Sequence, residues 1–242
     1  ASALDANTTA NNNTAVGQNS LTANTTGGAN TAVGSASMSS TTSGSDNVAF
    51  GTTALGDNTT GSNNTAIGRS ALENNTSASN NTAVGRNTLI TNTSGATNTA
   101  IGAYALNSNT SSSNNTGIGF LALGANTTGT ANVAVGANAL DANTTGSNNV
   151  GVGNNSIGAN TTGSANTGLG IGTLAATTTG NHNTALGYNA LNDATTASDN
   201  VAVGYNSLGT NTTGTRNVAV GFNTLDANNI SDSTGRQYIR IF

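Results

Sequence analysis

Residues 132–148, NVAVGANALDANTTGSN, are one copy of the 17-residue unit that decides the fold. The unit recurs without insertion or deletion, and we number its positions 1 to 17 from its first asparagine. That asparagine stands at thirteen places: Asn13, Asn30, Asn47, Asn64, Asn81, Asn98, Asn115, Asn132, Asn149, Asn166, Asn183, Asn200 and Asn217. A short fixed period means that one structural unit stacks on copies of itself.

The composition excludes several classes of function. Only 6% of the 242 residues are charged, the formal net charge is −4, and there is no lysine. Because binding to phosphates needs many basic side chains, we expect no nucleic-acid partner. The chain has no run of 18 apolar residues, so we expect no membrane insertion. The absence of cysteine excludes disulfides and thiolate chemistry.

Positions 1 to 5 of each unit, such as Asn13 to Gly17, predict a short strand in which positions 2 and 4 share one face and position 3 takes the other. Position 4 is always a large apolar residue, and position 3 is always alanine or glycine. We expect the residues of position 4 and the leucines of position 9 to supply about two large core side chains per coil. A face limited to alanine and glycine implies a second backbone lying close to it, and this face is a plausible place for association.

The remaining positions predict turns. Position 5 is glycine in every copy, which suits either a turn with positive φ or the close approach of a neighbouring backbone, and we favour the turn. Asn-Thr-Thr-Gly at positions 12 to 15 predicts a second turn, so each unit reads as two short strands and two turns. Three columns carry the pattern through the stack, namely position 1 (Asn13, Asn115, Asn217), position 5 (Gly17, Gly119, Gly221) and position 9 (Leu21, Leu123, Leu225).

The sequence therefore predicts an all-β protein, a parallel β-solenoid of about 14 coils with a 17-residue period. A helical repeat fits poorly, because asparagine, threonine and glycine dominate and no 3.6-residue apolar period appears. We assign residues 1–229 to the solenoid, with residues 1–12 reading as positions 6 to 17 of an uncapped first coil. Residues 230–242 depart from the pattern and form a cap, a linker or a strand between subunits.

The segment Asn-Thr-Ala-Val-Gly followed, after two variable residues, by Ser/Ala-Leu resembles the head repeats of trimeric autotransporter adhesins, the YadA-like β-roll. It is more similar still to 17-residue repeats of phage tail fibres and bacterial surface adhesins, and the resemblance covers nearly the whole chain. It implies a left-handed coil, an intertwined homotrimer and a fibre that attaches to glycans or proteins of a host surface or matrix. It also implies an extracellular, cell-surface or virion location. The usual head repeat is a few residues shorter, and we expect no segment of residues 1–242 to form the anchor barrel or coiled-coil stalk of that family.

Two groups of residues are candidate contact sites. Position 6 varies freely and is therefore expected to be exposed; its aromatic run Tyr188, Tyr205 and Phe222 predicts a ladder that either contacts glycans or only packs upon itself. The tail, with Tyr238, Ile239, Ile241 and Phe242, predicts a strand that caps the stack or pairs with a neighbouring subunit, allowing end-to-end stacking.

No catalytic chemistry can be assigned. His182 is the only histidine, the acids are scattered, and no catalytic residue, metal ligand or cofactor site is predicted. The first functional hypothesis is thus a structural and adhesive fibre that is not an enzyme. The alternative is an ice-binding solenoid that uses the threonine column of position 13, from Thr25 to Thr212. That alternative requires that the hydroxyl groups of these threonines do not form hydrogen bonds with backbone groups of their own turn.

Overall fold

The computed structural model describes residues 3–226 and the backbone of residues 238–241. The chain divides into two compact units, unit 1 from Ala1 to Ile118 and unit 2 from Gly119 to Phe242. Each unit is a stack of 17-residue coils, and each coil contributes one short strand. Every described strand is parallel to the strand of the next coil within its unit.

Unit 1 contains seven strands of three residues. They are β1 (Thr14–Val16), β2 (Thr31–Val33), β3 (Val48–Phe50), β4 (Thr65–Ile67), β5 (Thr82–Val84), β6 (Thr99–Ile101) and β7 (Thr116–Ile118). Neighbouring strands pair in strict register, so that Ala15 lies beside Ala32 and Ala32 lies beside Ala49. Every pair therefore joins residues one period apart, as the repeat predicts.

Unit 2 repeats this arrangement. Its strands are β8 (Val133–Val135), β9 (Val150–Val152), β10 (Thr167–Leu169), β11 (Thr184–Leu186), β12 (Val201–Val203), β13 (Asn217–Val220) and β14 (Tyr238–Ile241). β14 pairs with β13 in parallel, although Asn217 is matched with Tyr238 and the spacing therefore exceeds one period. The predicted fold class, an all-β parallel solenoid with a 17-residue period, is confirmed. The proposed boundary between residues 229 and 230 lies outside the described residues.

The core of each coil is thinner than predicted. The leucine column of position 9 is fully buried from Leu21 to Leu208, and the alanines of position 3 are buried beside it from Ala32 onward. Where glycine takes position 3, a Cβ on Gly151 would lie 3.4 Å from the Leu140 side chain, which shows that these two columns face each other. The large residues of position 4 are outside, with Val16 57% exposed. The expectation of two large core side chains per coil, and of association through the alanine face, was therefore wrong.

The predicted second strand does not form within the described residues. Positions 7 and 9 have left-handed backbone, as in Asn19 (φ 55°) and Leu21 (φ 51°), so the chain turns instead of extending. Hydrogen bonds still join this segment to the next coil, because Leu21 N–H donates to the Ser37 carbonyl (3.0 Å) and Ala23 N–H to the Ser39 carbonyl (3.3 Å). The turns let a single leucine fill the inside of the coil.

Buried asparagines link successive coils. At position 1, the Asn30 side chain accepts a hydrogen bond from the Asn47 backbone N–H (3.0 Å) and donates one to the Gly44 carbonyl (2.8 Å). At position 12, the Asn75 side chain donates to the Asn58 side chain (2.9 Å) and to the Ala78 carbonyl (3.0 Å). Since an unpaired buried amide would be costly, these two ladders explain why asparagine recurs there.

The glycine of position 5 serves both roles that the sequence allowed. Gly34 has φ +136°, and a Cβ placed on it would lie 2.4 Å from the Gly51 carbonyl oxygen. Both the backbone conformation and the close approach of the next coil therefore exclude a side chain.

Candidate functional site

The most extensive candidate surface is the outer side of the strands, which we call the strand face and define as the side chains of positions 2 and 4. In unit 1, position 4 contributes exposed aliphatic and aromatic groups, with Phe50 at 44%, Ile67 at 40% and Ile101 at 38% exposure. Position 2 contributes threonine in six of the seven strands and Val48 in the other. The strand face contains no charged residue.

Such a face is unusual for an isolated chain. Single exposed apolar residues are ordinary, but contiguous apolar columns mark interaction surfaces. Here the columns are continuous, because strict register places each position-4 side chain next to its equivalent in the neighbouring coil, as Val33 beside Phe50 and Phe50 beside Ile67. The strand face of each unit is therefore a candidate docking surface.

The sequence contains a signal for this face in the sizes of the side chains at positions 3 and 4. Position 3 never exceeds a methyl group, whereas position 4 accepts Val16, Phe50, Ile67 and Leu169. A position that tolerates side chains of different volume does not belong to a closely packed interior, because buried sites respond to changes as small as one methylene. The range of side-chain sizes at position 4 therefore indicates that this position lies outside the core of the coil.

The hydroxyl groups of the position-13 threonines form hydrogen bonds with backbone carbonyls of the neighbouring turn. The Thr25 hydroxyl donates to the Thr42 carbonyl (3.1 Å), and the Thr42 hydroxyl donates to the Thr59 carbonyl (3.1 Å). The same bond continues in unit 2, where Thr161 donates to Thr178 (3.0 Å). These hydroxyl protons bridge successive coils. The threonines of the strand face differ, since the hydroxyls of Thr31, Thr65 and Thr82 form no hydrogen bond with any described residue.

Position 6 lies directly beyond the strand face and is mostly exposed. In unit 1 it carries polar or small residues, and the guanidinium of Arg86 lies 5.7 Å from the ring centre of Tyr104. Arg69 and Arg86 occupy the same column one coil apart and are both exposed, which lets water screen their repulsion. Position 6 thus borders the strand face of unit 1 with a polar rim.

In unit 2 the same column is apolar over four successive coils. Tyr188 and Tyr205 stack with ring centres 5.4 Å apart and planes 11° apart, and Tyr205 and Phe222 stack at 5.1 Å and 15°. Ile171 precedes them and is 53% exposed. The ladder packing that the sequence allowed is thus present, while the glycan contact stays a prediction.

The tail strand β14 uses one edge to pair with β13 of its own chain. This pairing involves the backbone of Tyr238, Ile239 and Ile241, whereas Phe242 lies outside the described residues. The capping interpretation fits this arrangement, and pairing with a neighbouring subunit stays a prediction.

Ionisable groups are sparse in the described part of the chain. The His182 Nδ1 atom lies 3.4 Å from an Asp199 carboxylate oxygen, and both side chains are largely exposed. Partial burial raises the pKa of Asp141 above its ordinary value, despite backbone N–H groups that act in the opposite direction. Within residues 3–226, no three histidine or acidic residues cluster as metal ligands would, and no helix of the length and hydrophobicity of a membrane span is found.

Comparison with known proteins gives no relatives. Neither a family model, nor a curated protein, nor a solved structure matches this chain.

Proposed function

We propose that the protein is a structural and adhesive fibre protein whose copies associate through the strand face. The observation that carries this proposal is the continuous column of apolar position-4 side chains on the uncharged strand face of each unit, outside a core that holds one large side chain per coil. The coils themselves bury little apolar area, so covering the strand face by further copies would add the burial that a thin solenoid lacks.

The free energy gained by burying the strand face is of the same order as the cost of association. Burial of a whole Val, Ile or Phe side chain is worth about 1.5–3 kcal/mol. Of the seven position-4 residues of unit 1, four are 38–57% exposed and three are half-buried. Covering them contributes roughly 4–8 kcal/mol per copy, and two copies contribute about twice that amount. The cost of association is about 4–15 kcal/mol, so the burial of one unit's strand face in two copies is comparable to this cost.

The resemblance to trimeric adhesin heads and tail fibres supports a homotrimer with an extracellular, cell-surface or virion location. In this proposal the partner is a glycan or protein of a host surface or matrix. The net charge of −4 is consistent with the absence of a nucleic-acid partner. A chain of this composition, with no assigned catalytic group, is proposed to act by binding and not as an enzyme.

The test places charges on the strand face. Ile67→Glu with Ile101→Glu should convert the homo-oligomer into monomers, because a carboxylate in an apolar interface is costly when unpaired. The matched control, Thr60→Glu with Ser94→Glu, adds the same charge to exposed turn positions of the immediately preceding coils and should leave the oligomer intact. Native mass measurement and sedimentation velocity report the state. A monomeric wild-type chain, or equal behaviour of the two variants, would contradict the proposal.

Ice binding is a second candidate function. Its candidate surface is the strand face and no longer the threonine column in the turns. The turn threonines donate their hydroxyls to carbonyl groups. The strand threonines Thr65, Thr82 and Thr99 pair in register on the strand face. A monomer that inhibits ice growth, and that loses this activity with Thr65→Lys and Thr82→Lys, would favour this function over the fibre.

A further inference from the structure

A cavity of about 390 Å³ lies on the turns of unit 1. It is lined by positions 14 to 17 of three successive coils, with Thr9 and Thr26 at position 14 and Asn12, Ala29 and Asp46 at position 17. We call it the turn cavity. None of its lining residues occupies position 2 or position 4. Association of copies through the strand face therefore does not use the residues of this cavity.

The turn cavity lies where one coil lacks polar side chains at positions 16 and 17. That coil has Gly28 and Ala29, and no other copy of the unit has side chains this small at both positions. The preceding coil has asparagine at both positions, and the following coil has serine and aspartate. Successive coils are about 4.8 Å apart, so the two polar coils are separated by about 10 Å. The gap between them is one coil wide.

The backbone of this gap forms hydrogen bonds with both neighbouring coils. The Gly28 N–H donates to the Ser45 hydroxyl oxygen (3.0 Å), and the Gly28 carbonyl accepts from the Asp46 N–H (3.0 Å). The Ala29 N–H donates to the Asn11 carbonyl (3.1 Å). These bonds hold the floor of the turn cavity in place. Recognition of a ligand therefore depends on the side chains around the floor.

The side chains around the floor decide which ligand fits. Hydroxyls, amides and one carboxylate line the cavity, and their residues are exposed: Thr9, Thr26, Asn11, Asn12 and Asp46. The carboxylate disfavours an anion, and an ammonium group alone would leave the amide donors unmatched. An apolar ligand would remove water from these groups without replacing its hydrogen bonds. A neutral molecule rich in hydroxyl groups matches the set, because each hydroxyl both donates and accepts.

We propose that the turn cavity binds one or two rings of a neutral saccharide. Its volume lies within the range of small-molecule sites, roughly 300–1,000 Å³. The Asp46 carboxylate accepts protons from sugar hydroxyls, and such charge-assisted hydrogen bonds are stronger than neutral ones. The Asn12 amide, in the coil on the other side of the gap, donates to sugar oxygens. This inference rests on the proposed adhesive function and names a glycan as its partner, and the site shares no residue with the aromatic ladder of position 6.

The test is an array of immobilised neutral, cationic and anionic oligosaccharides, probed with the labelled full chain. Dense display suits a site without aromatic stacking, because several copies of the chain can engage at once. The wild-type chain should bind neutral oligosaccharides. Gly28→Ser with Ala29→Asn fills the gap and should abolish this binding. The same pair occurs naturally as Ser62 and Asn63, so the coil should stay folded, and circular dichroism verifies this.

The matched control is Ala96→Ser with Thr97→Asn, which introduces the same pair at positions 16 and 17 of a coil outside the cavity and should leave binding unchanged. Asp46→Asn keeps the shape of the side chain but removes its charge. It should weaken the affinity for a bound oligosaccharide, measured by titration calorimetry, about fivefold or more, because hydrogen bonds to a charged acceptor are stronger than those to a neutral one.

Two array results would overturn the inference. The first is a wild-type chain that binds no neutral oligosaccharide, and the second is a filled variant that binds as the wild type does. Sedimentation velocity on the same samples separates this inference from the proposed function. An oligomer that binds no saccharide refutes the turn cavity as a site and leaves association through the strand face standing. A monomer that binds neutral saccharides through this cavity supports the site and refutes that association.

Discussion

Replacing Gly34 by alanine tests the central feature of the coil, the close approach of successive backbones at position 5. Gly34 has φ +136°, and the added Cβ would lie 2.4 Å from the Gly51 carbonyl oxygen and 2.6 Å from its carbon. These atoms belong to the backbone of the next coil and cannot rotate away. The whole coil must therefore shift, or the paired strands β2 and β3 must separate.

The expected loss of stability has two parts. A residue with a side chain in this conformation costs about 1–3 kcal/mol, and overpacking against a rigid neighbour costs about 1–3 kcal/mol more. The total is about 2–6 kcal/mol. Gly28→Ala is the matched control, since Gly28 lacks positive φ, its nearest contact for a Cβ is the Asn11 carbonyl oxygen at 3.3 Å, and Ala96 occupies the same position in another coil. This change should cost less than about 1 kcal/mol.

Urea unfolding followed by circular dichroism gives the free energy of each variant. Stacked repeats can unfold in parts, so amide exchange in β2 and β3 should accompany it. The Gly34 variant should show faster exchange in both strands. If the free energies of unfolding of the two alanine variants differ by less than about 0.5 kcal/mol, which is within the error of comparing separate sites, the close approach of successive backbones does not exclude a side chain at position 5.

The remaining predictions concern the core and pH. Leu123 is fully buried and Thr130 is exposed. Leu123→Asp should therefore prevent folding of its coil, whereas Thr130→Asp should change the melting temperature little. Equal melting temperatures of the two variants would contradict the assignment of the core. Burial raises the pKa of Asp141 in the folded state, so the folded chain holds this proton more tightly than the unfolded chain, and stability falls as pH rises from about 3.9 through the folded pKa. Asp141→Asn should therefore stabilise at pH 7 and give little gain at pH 3, as thermal melts at both values would reveal; a gain equal at both values would argue against this account.

The sequence predicted the parallel stack because the period is strict. Insertion-free repeats place Ala15, Ala32 and Ala49 in register, and the structure pairs these residues. The buried leucines of position 9 were also predictable, because one large apolar residue recurs at a position where nothing larger or polar replaces it. For the candidate surfaces the sequence was less decisive, since it pointed to the exposed column of position 6 but not to the strand face.

The sequence by itself determined the period, the register and the positions where only glycine fits. Only the tertiary structure decided which face of the strand lies inside. Alternation along a strand places positions 3 and 4 on opposite sides, and both are apolar, so alternation and polarity are compatible with either choice, and only the variable size of position 4 favours the outside for it. The volume inside a coil decides between them, because Leu21 and its equivalents fill it and leave space only for a methyl group such as that of Ala32, while Val33 remains outside.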